Sequence, residues 1–346
     1  MSQPLVECVP NFSEGRDKSV IGRITAPIEA IPGVTLLDVD MGADFNRTVV
    51  TMVGNPDDVL KAAIECTIVA SELIDMRGHT GEHARMGAVD VVPFIPINGV
   101  SIEECASLSE IYAETVSQKL DLPVYLYAEA ARSEQRVRLP DIRRGEYEGL
   151  QEKMQSEIWA PDYGPREFNP KLGATATGAR QILIAYNVNL NSDDKTKANS
   201  IASRIRTSGS LVKDVNGEKI IGEDGKPLRN PGKFEALQAA GWMYDDSTAQ
   251  VSMNLLDHKV TGLHHVTEAI REESQKIGLN VVAGELVGLV PLEAMISAGR
   301  NYHKEPDSAD ESSLVDAAIK GLMLDILGEF NPESSIIEWA IREALG

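Results

Sequence analysis

The chain has 346 residues, with 33 Lys plus Arg against 53 Asp plus Glu, a formal net charge of −20 and 42% hydrophobic residues. That apolar share supports a packed core rather than disorder, and the length suits about two domains. The acid excess argues against nucleic acid and against an anionic membrane surface, both of which call for a basic face.

The predicted elements follow in chain order. Residues 5–9 are a short apolar run ended by Pro10, a strand. Residues 17–31 carry helical spacing at Val20, Ile24, Ile28 and Ile31 and stop at Pro32-Gly33, with Pro27 the one residue that opposes a helix. Residues 34–39 and 48–53 are strands joined by a turn-like patch at 41–45, a predicted hairpin. Asn55-Pro56-Asp57-Asp58 then opens a helix: Asn caps, Pro suits the first position, and the acids complement the dipole. A glycine- and histidine-rich loop leads to a strand over 88–97. Ser101 and Glu104 form a capping box for a helix with Cys105, Leu108, Tyr112 and Val116 on one face, and 124–127 is a further strand. Residues 140–173, with Pro161, Pro165 and Pro170, read as loop-rich.

The second half repeats this order. A strand over 181–190 precedes a helix over 192–205 capped by Ser192 or Asp193. Residues 234–244 and 250–256 flank the turn Asp245-Asp246-Ser247, and a helix over 262–277 leads to a strand over 280–283. Each half is strand–helix–hairpin–helix–strand, a split βαβ order. The prediction is an α+β fold of two ferredoxin-like (βαββαβ-type) subdomains in tandem, 1–180 and 181–346, with C-terminal helices near 312–327 and 332–345. Residues 214–231 form a polar linker or hairpin.

Cys8, Cys66 and Cys105 lie far apart without paired spacing, as in free thiols of a reducing compartment. The N-terminus lacks the basic and apolar regions of a signal peptide. The most apolar long window, 280–299, holds Glu285, Pro291 and Glu293, which argues against a membrane span. A cytoplasmic location is expected.

The densest polar cluster is Arg77-Gly-His79-Thr-Gly-Glu82-His83-Ala-Arg85-Met-Gly87. Read literally, His79, Glu82 and His83 match the H-x-x-E-H pattern of a metal-dependent hydrolase. Gly78, Gly81 and Gly87 oppose the helix that pattern needs, at about 1 kcal/mol each, and no spacing marks a third ligand. The competing reading is a loop histidine that takes and returns a proton, with Glu82 orienting it and with Arg77 and Arg85 binding substrate carboxylates. In a second cluster, residues 38–48, Asp40 and Asn46 either face a ligand or serve as plain turn residues. A third holds Arg132, Arg136, Arg138, Arg143 and Arg144. Over 129–148 five positive charges meet five negative ones, which reads as a salt-bridged, solvated surface.

Taken together, these segments resemble the glutamate formimidoyltransferase (formiminotransferase) family. The likeness is carried by Leu5-Val-Glu-Cys-Val-Pro-Asn-Phe-Ser-Glu-Gly15, Asn46-Arg-Thr-Val-Val-Thr51, Gly81-Glu-His-Ala-Arg-Met-Gly-Ala88 and Asp90-Val-Val-Pro-Phe-Ile-Pro96. Further on come Pro161-Asp-Tyr-Gly-Pro165, Ile184-Ala-Tyr-Asn-Val-Asn-Leu190, Ala249-Gln-Val-Ser252 and Glu285-Leu-Val-Gly-Leu-Val-Pro-Leu292. It spans about residues 3–300, and it departs at Ala84, where the family usually has proline.

The resemblance implies transfer of a formimidoyl group between N-formimidoyl-L-glutamate and N5 of tetrahydrofolate, in histidine degradation and one-carbon metabolism. It implies that His83 is the catalytic histidine and that Gly164-Pro165-Arg166-Glu167-Phe168-Asn169-Pro170-Lys171-Leu172-Gly173 is the folate-binding segment. Charge complementarity adds Asp40 or Glu82 beside the cationic amidine and Arg47, Arg77 or Arg85 for the glutamate carboxylates. Tetrahydrofolate is expected as co-substrate, with no metal. A homodimer is expected too, without the fused cyclodeaminase domain of animal relatives. Formyl transfer on the same scaffold is the nearest alternative.

Overall fold

The computed structural model describes residues 4–222 and 225–345; Glu223 and Asp224 of the predicted linker lie outside the described residues. The chain divides into two compact units, 1–181 and 182–346.

The first unit begins with β1 (Leu5–Cys8), β2 (Asn11–Phe12), α1 (Lys18–Ala30), β3 (Val34–Gly42), β4 (Arg47–Gly54), α2 (Pro56–Leu73) and β5 (Val89–Asn98). β1 pairs antiparallel with both β4 and β5, and β3 pairs with β4, so the order β3–β4–β1–β5 is the ferredoxin-like one. α1 runs through Pro27, which falls in its last turn. α2 starts as its sequence dictates: Asn55 accepts from the Asp58 N–H at 3.1 Å and Pro56 opens the helix. Ile24, Ile28, Val50, Met52, Ala62, Cys66 and Phe94 close one core between the helices and this sheet face. All three cysteines are free and buried.

The unit then extends beyond the predicted motif. α3 (Ile102–Leu120) begins with the Ser101–Glu104 capping box and leads to β6 (Val124–Ala128). α4 (Leu139–Arg143) and α5 (Glu146–Lys153) fold within the stretch expected to be loop-rich, and β7 (Thr175–Ala179) inserts between β5 and β6, parallel to both. The helices were illegible because they are short and cover a separate small core of Met86, Val91, Tyr125, Tyr127, Ile142, Leu150 and Met154. Lys153 holds them together. Its Nζ donates to the carbonyls of Asp141, Ile142 and Arg144 and lies 3.9 Å from the Trp159 ring centre.

The second unit repeats the motif with β8 (Ile184–Leu190), α6 (Lys195–Ile205), the short pair β9 (Ser210–Leu211) and β10 (Arg229–Asn230), β11 (Leu237–Asp245), β12 (Thr248–Leu255), α7 (Leu263–Gln275) and β13 (Val281–Val287). Its sheet, β11–β12–β8–β13, is antiparallel throughout. The cap of α6 is Asp194, not Ser192 or Asp193: its carboxylate accepts from the Thr196 N–H at 2.9 Å. α8 (Leu292–Tyr302), α9 (Glu311–Leu322), α10 (Pro332–Ser335) and α11 (Ile337–Leu345) complete the chain, the last expected helix being broken at Ile336.

Candidate active site

The glycine- and histidine-rich segment is a loop between α2 and β5, and it is pinned at both ends. At its start the Met76 N–H donates to the Lys171 carbonyl at 2.9 Å; at its end the Ala88 N–H donates to the Leu172 carbonyl at 2.9 Å. In the middle, Asn46 of the β3–β4 turn donates from Nδ2 to the Thr80 carbonyl at 2.9 Å while its Oδ1 accepts from the Gly15 N–H at 3.0 Å. Asn46 is itself left-handed, at φ 48°, a conformation Asn tolerates better than most residues. Gly81 crosses the same turn so closely that a Cβ there would lie 2.3 Å from the Phe45 carbonyl oxygen. Here glycine is required by close backbone approach.

This arrangement brings Arg47, the first residue of β4, onto His83. Arg47 Nη1 donates to His83 Nε2 at 2.7 Å. Because a guanidinium only donates, Nε2 is the accepting nitrogen and Nδ1 carries the proton; Nδ1 is buried without a partner. Burial, and then the positive charges of Arg47, Arg143 and Arg85, push the imidazole down to about 3, so it is neutral at physiological pH. Arg47 is lowered in turn, first by burial and then by the charge of Arg143. No acidic side chain forms an ion pair with Arg47 among the described residues.

His79 sits differently. Its Nε2 meets the Asn46 carbonyl at 3.1 Å, and Arg85 Nε donates to its Nδ1 at 3.3 Å. Arg85 is 5% exposed, and its other donors are taken by Glu148, at 2.9 and 2.7 Å, and by Glu146, at 3.1 Å. Bonding to Glu148 raises Arg85 and lowers Glu148. His79, Thr80, Gly81, Arg85, Gly145, Glu146 and Glu148 line an open cleft of about 460 Å³.

Of the residues singled out in the sequence, the structure gathers His79, His83, Arg47, Asn46 and Arg85. Asp40 is exposed on β3 and acts on Arg47 only through its charge. Glu82 is exposed and its carboxylate has no partner among the described residues, so it does not orient His83; Arg47 makes that contact instead. Arg77 turns outward onto Asp75. In the 164–173 segment, Arg166 pairs with Glu157 at 2.6 Å, while Phe168 packs on Tyr147 with ring centres 5.4 Å apart. Asn169 closes the turn to Lys171 and Leu172. Gly164, Arg166, Glu167 and Pro170 are exposed, Pro165 is half-buried, and Gly173 is buried. The Lys171–Gly173 end runs beside both ends of the histidine loop, through the Met76 and Ala88 hydrogen bonds and the Gly87–Gly173 bridge.

The arginine-rich stretch is a correction. Arg132, Arg138 and Arg144 are solvated, but Arg136 forms a buried pair with Asp162 at 2.7 Å and Arg143 forms one with Asp90. Asp90, Arg143, Glu146 and Glu148 were therefore missed as parts of the site. Asp90 had a signal: a lone carboxylate inside the apolar run Val89-Asp90-Val91-Val92 needs a partner if that run is buried. Among the described residues no group of three or more His, Cys, Asp or Glu is arranged to hold a metal ion, and no helix is long and apolar enough to cross a membrane.

Two split βαβ units, one presenting a neutral histidine against unpaired cationic charge, suit acid–base group transfer on an anionic substrate. Residues 5–180 match the formiminotransferase domain, N-terminal subdomain, and residues 185–342 match the formiminotransferase domain; the chain belongs to this family. It is 40% identical to the glutamate formimidoyltransferase of Streptococcus pyogenes serotype M1, over 88% of this chain and 94% of that one. It is 38% identical to the glutamate formimidoyltransferase of Thermoplasma acidophilum, over 90% and 96%. The formimidoyltransferase-cyclodeaminase of Rattus norvegicus is 45% identical over 99% of this chain, which spans 61% of that longer relative.

Proposed function

We propose that this protein is a glutamate formimidoyltransferase, exchanging a formimidoyl group between N-formimidoyl-L-glutamate and N5 of tetrahydrofolate, with His83 as its acid–base group. The observation that carries the reading is the contact of Arg47 Nη1 with His83 Nε2 at 2.7 Å, in a chain whose 40%-identical relative carries that activity as its name. A half-buried guanidinium without a carboxylate partner is a seat for an anionic substrate.

In the resting protein Arg47 occupies the lone pair that His83 needs. A substrate carboxylate that takes over Arg47 frees Nε2 and cancels the charge that depresses the imidazole, so the base becomes competent when substrate is bound. N5 of tetrahydrofolate then attacks the amidine carbon, and a C–N bond forms. His83 takes the N5 proton from the tetrahedral intermediate and returns it to the departing glutamate nitrogen as the second C–N bond breaks. The imino nitrogen stays with the transferred carbon. Asp40, whose charge already acts on Arg47, and the free carboxylate of Glu82 are the anions available to the cationic amidine.

The 164–173 segment is the proposed folate contact. In support, its Lys171–Gly173 end shares hydrogen bonds with the loop that carries His83. Arg77 is set aside as a carboxylate ligand because Asp75 holds it, and Arg85 because two glutamates do. The expected setting is a cytoplasmic homodimer serving histidine degradation, with tetrahydrofolate as its only cofactor-like partner; light scattering checks the dimer. The activity is tested by mixing the protein with tetrahydrofolate and N-formimidoyl-L-glutamate. Equal amounts of formimidoyltetrahydrofolate and free glutamate are expected. Turnover with N-formyl-L-glutamate alone overturns the choice of group.

A further inference from the structure

A second guanidinium, that of Arg143, acts through its charge on both Arg47 and His83. Asp90, only 1% exposed, accepts from the Met86 N–H at 2.8 Å and from Arg143 Nη2. One carboxylate thus fixes both the stem of the His83 loop and the last residue of α4. Lys153 braces the same place by bonding the carbonyls on either side of Arg143. Among the described residues Nη2 is the only Arg143 side-chain nitrogen with a protein partner, and Nε is buried with none. A buried donor left unpaired costs about 1–3 kcal/mol unless something else bonds it. Of the two guanidiniums Asp90 bonds that of Arg143 alone, while Arg47 bonds only the neutral His83, so the repelling pair has one bonded carboxylate between them, an imbalance that an added anion relieves.

Resting on the transferase reading, we propose that Arg143 is a specificity-determining residue: with Arg47 it seats the two carboxylates of glutamate, one on each guanidinium. A dicarboxylate fits two cations where a monocarboxylate leaves one unmatched. The seat would thus select glutamate over its amide or its decarboxylated form.

The test compares three donors, N-formimidoyl-L-glutamate, N-formimidoyl-L-glutamine and N-formimidoyl-4-aminobutyrate, in the wild type, Arg143→Gln and Arg143→Lys. In Arg143→Gln the KM for the glutamate donor is expected to rise about 10- to 100-fold. For the one donor that lacks the carboxylate seated on Arg143, KM should stay within about 3-fold of its wild-type value, as should KM for tetrahydrofolate. Arg143→Lys keeps a cation against Asp90 and is expected to fold with an unchanged melting temperature. It should still lose about 5-fold or more in the glutamate KM, because a lysine lacks the planar fork. Equal losses for all three donors, or a glutamate KM unchanged in Arg143→Lys, overturn the proposal and leave Arg143 as the anchor of Asp90. Should the wild type transfer no group from any donor, the transferase reading falls by itself. Calorimetric titration of glutamate and glutamine into wild type and Arg143→Lys then decides the two-arginine seat alone: tighter glutamate binding, lost in the variant, supports it, and no difference overturns it.

Discussion

Arg47 Nη1 lies 2.7 Å from His83 Nε2, so the one nitrogen of this histidine free of a proton is covered by a cation. Removing that cation has a definite sign. Arg47→Gln relieves the repulsion that helps hold His83 down near 3, so the acid limb of the kcat/KM profile moves to higher pH. The same variant removes the proposed seat for a substrate carboxylate, and the donor KM is expected to rise about 10- to 100-fold. A pH–rate profile with unchanged limbs would separate Arg47 from His83. Arg77→Gln, at the exposed Asp75 pair, is expected to change either constant less than about 3-fold.

Stability follows the same imidazole. In the folded protein it is pushed down to about 3, below the ordinary imidazole value of about 6.5. Between those pH values the unfolded chain binds a proton that the folded one refuses, so stability falls as pH drops through this window and is untouched by this group above it. His264, lowered to about 4 chiefly by burial, acts in the same direction. Urea unfolding at pH 7 and pH 4.5 is expected to show a smaller loss in His83→Gln than in the wild type.

Asp90→Ala strands the Arg143 guanidinium and the Met86 N–H together. Breaking a buried ion pair from one side costs about 3–5 kcal/mol. Differential scanning calorimetry is expected to place the melting temperature of the affected unit about 10 °C lower.

Gly173→Ala tests the joint between the proposed folate segment and the histidine loop. Gly173 has φ +70°, and a Cβ there would lie 2.1 Å from the Met86 carbonyl oxygen. Left-handed backbone alone costs about 1–2 kcal/mol for an L side chain, and the clash forces the loop to move. The KM for tetrahydrofolate is expected to rise by more than about 10-fold. A variant with wild-type folate kinetics would detach this segment from the site.

Much of the fold was legible because local signals agreed with the packing. Asn55-Pro56 and Ser101–Glu104 begin helices as their side chains dictate, and the apolar runs of both halves fall on paired strands. β7 and the helices α4 and α5 were not legible, since a five-residue helix has no periodicity to read and Thr175–Ala179 lacks the bulk of a typical strand. In the site, the polar density around His83 was visible. Its electrostatics were not, because Glu82 adjoins His83 in sequence while Arg47 adjoins it in space. Arg143 and Arg144 are neighbours in the chain, yet one pairs with the buried Asp90 and the other is solvated on Asp141. Charge counting treats them alike; only the turn of a short helix separates them.

His83 is proposed to carry the proton between the two nitrogens of the exchange. Single-turnover transfer from N-formimidoyl-L-glutamate to tetrahydrofolate, followed in wild type and His83→Ala with both products quantified, tests it most directly. Stoichiometric products are expected in the wild type, with a rate about 10²- to 10⁴-fold lower in the variant and substrate affinities little changed. A variant that transfers the group at the wild-type rate would contradict it.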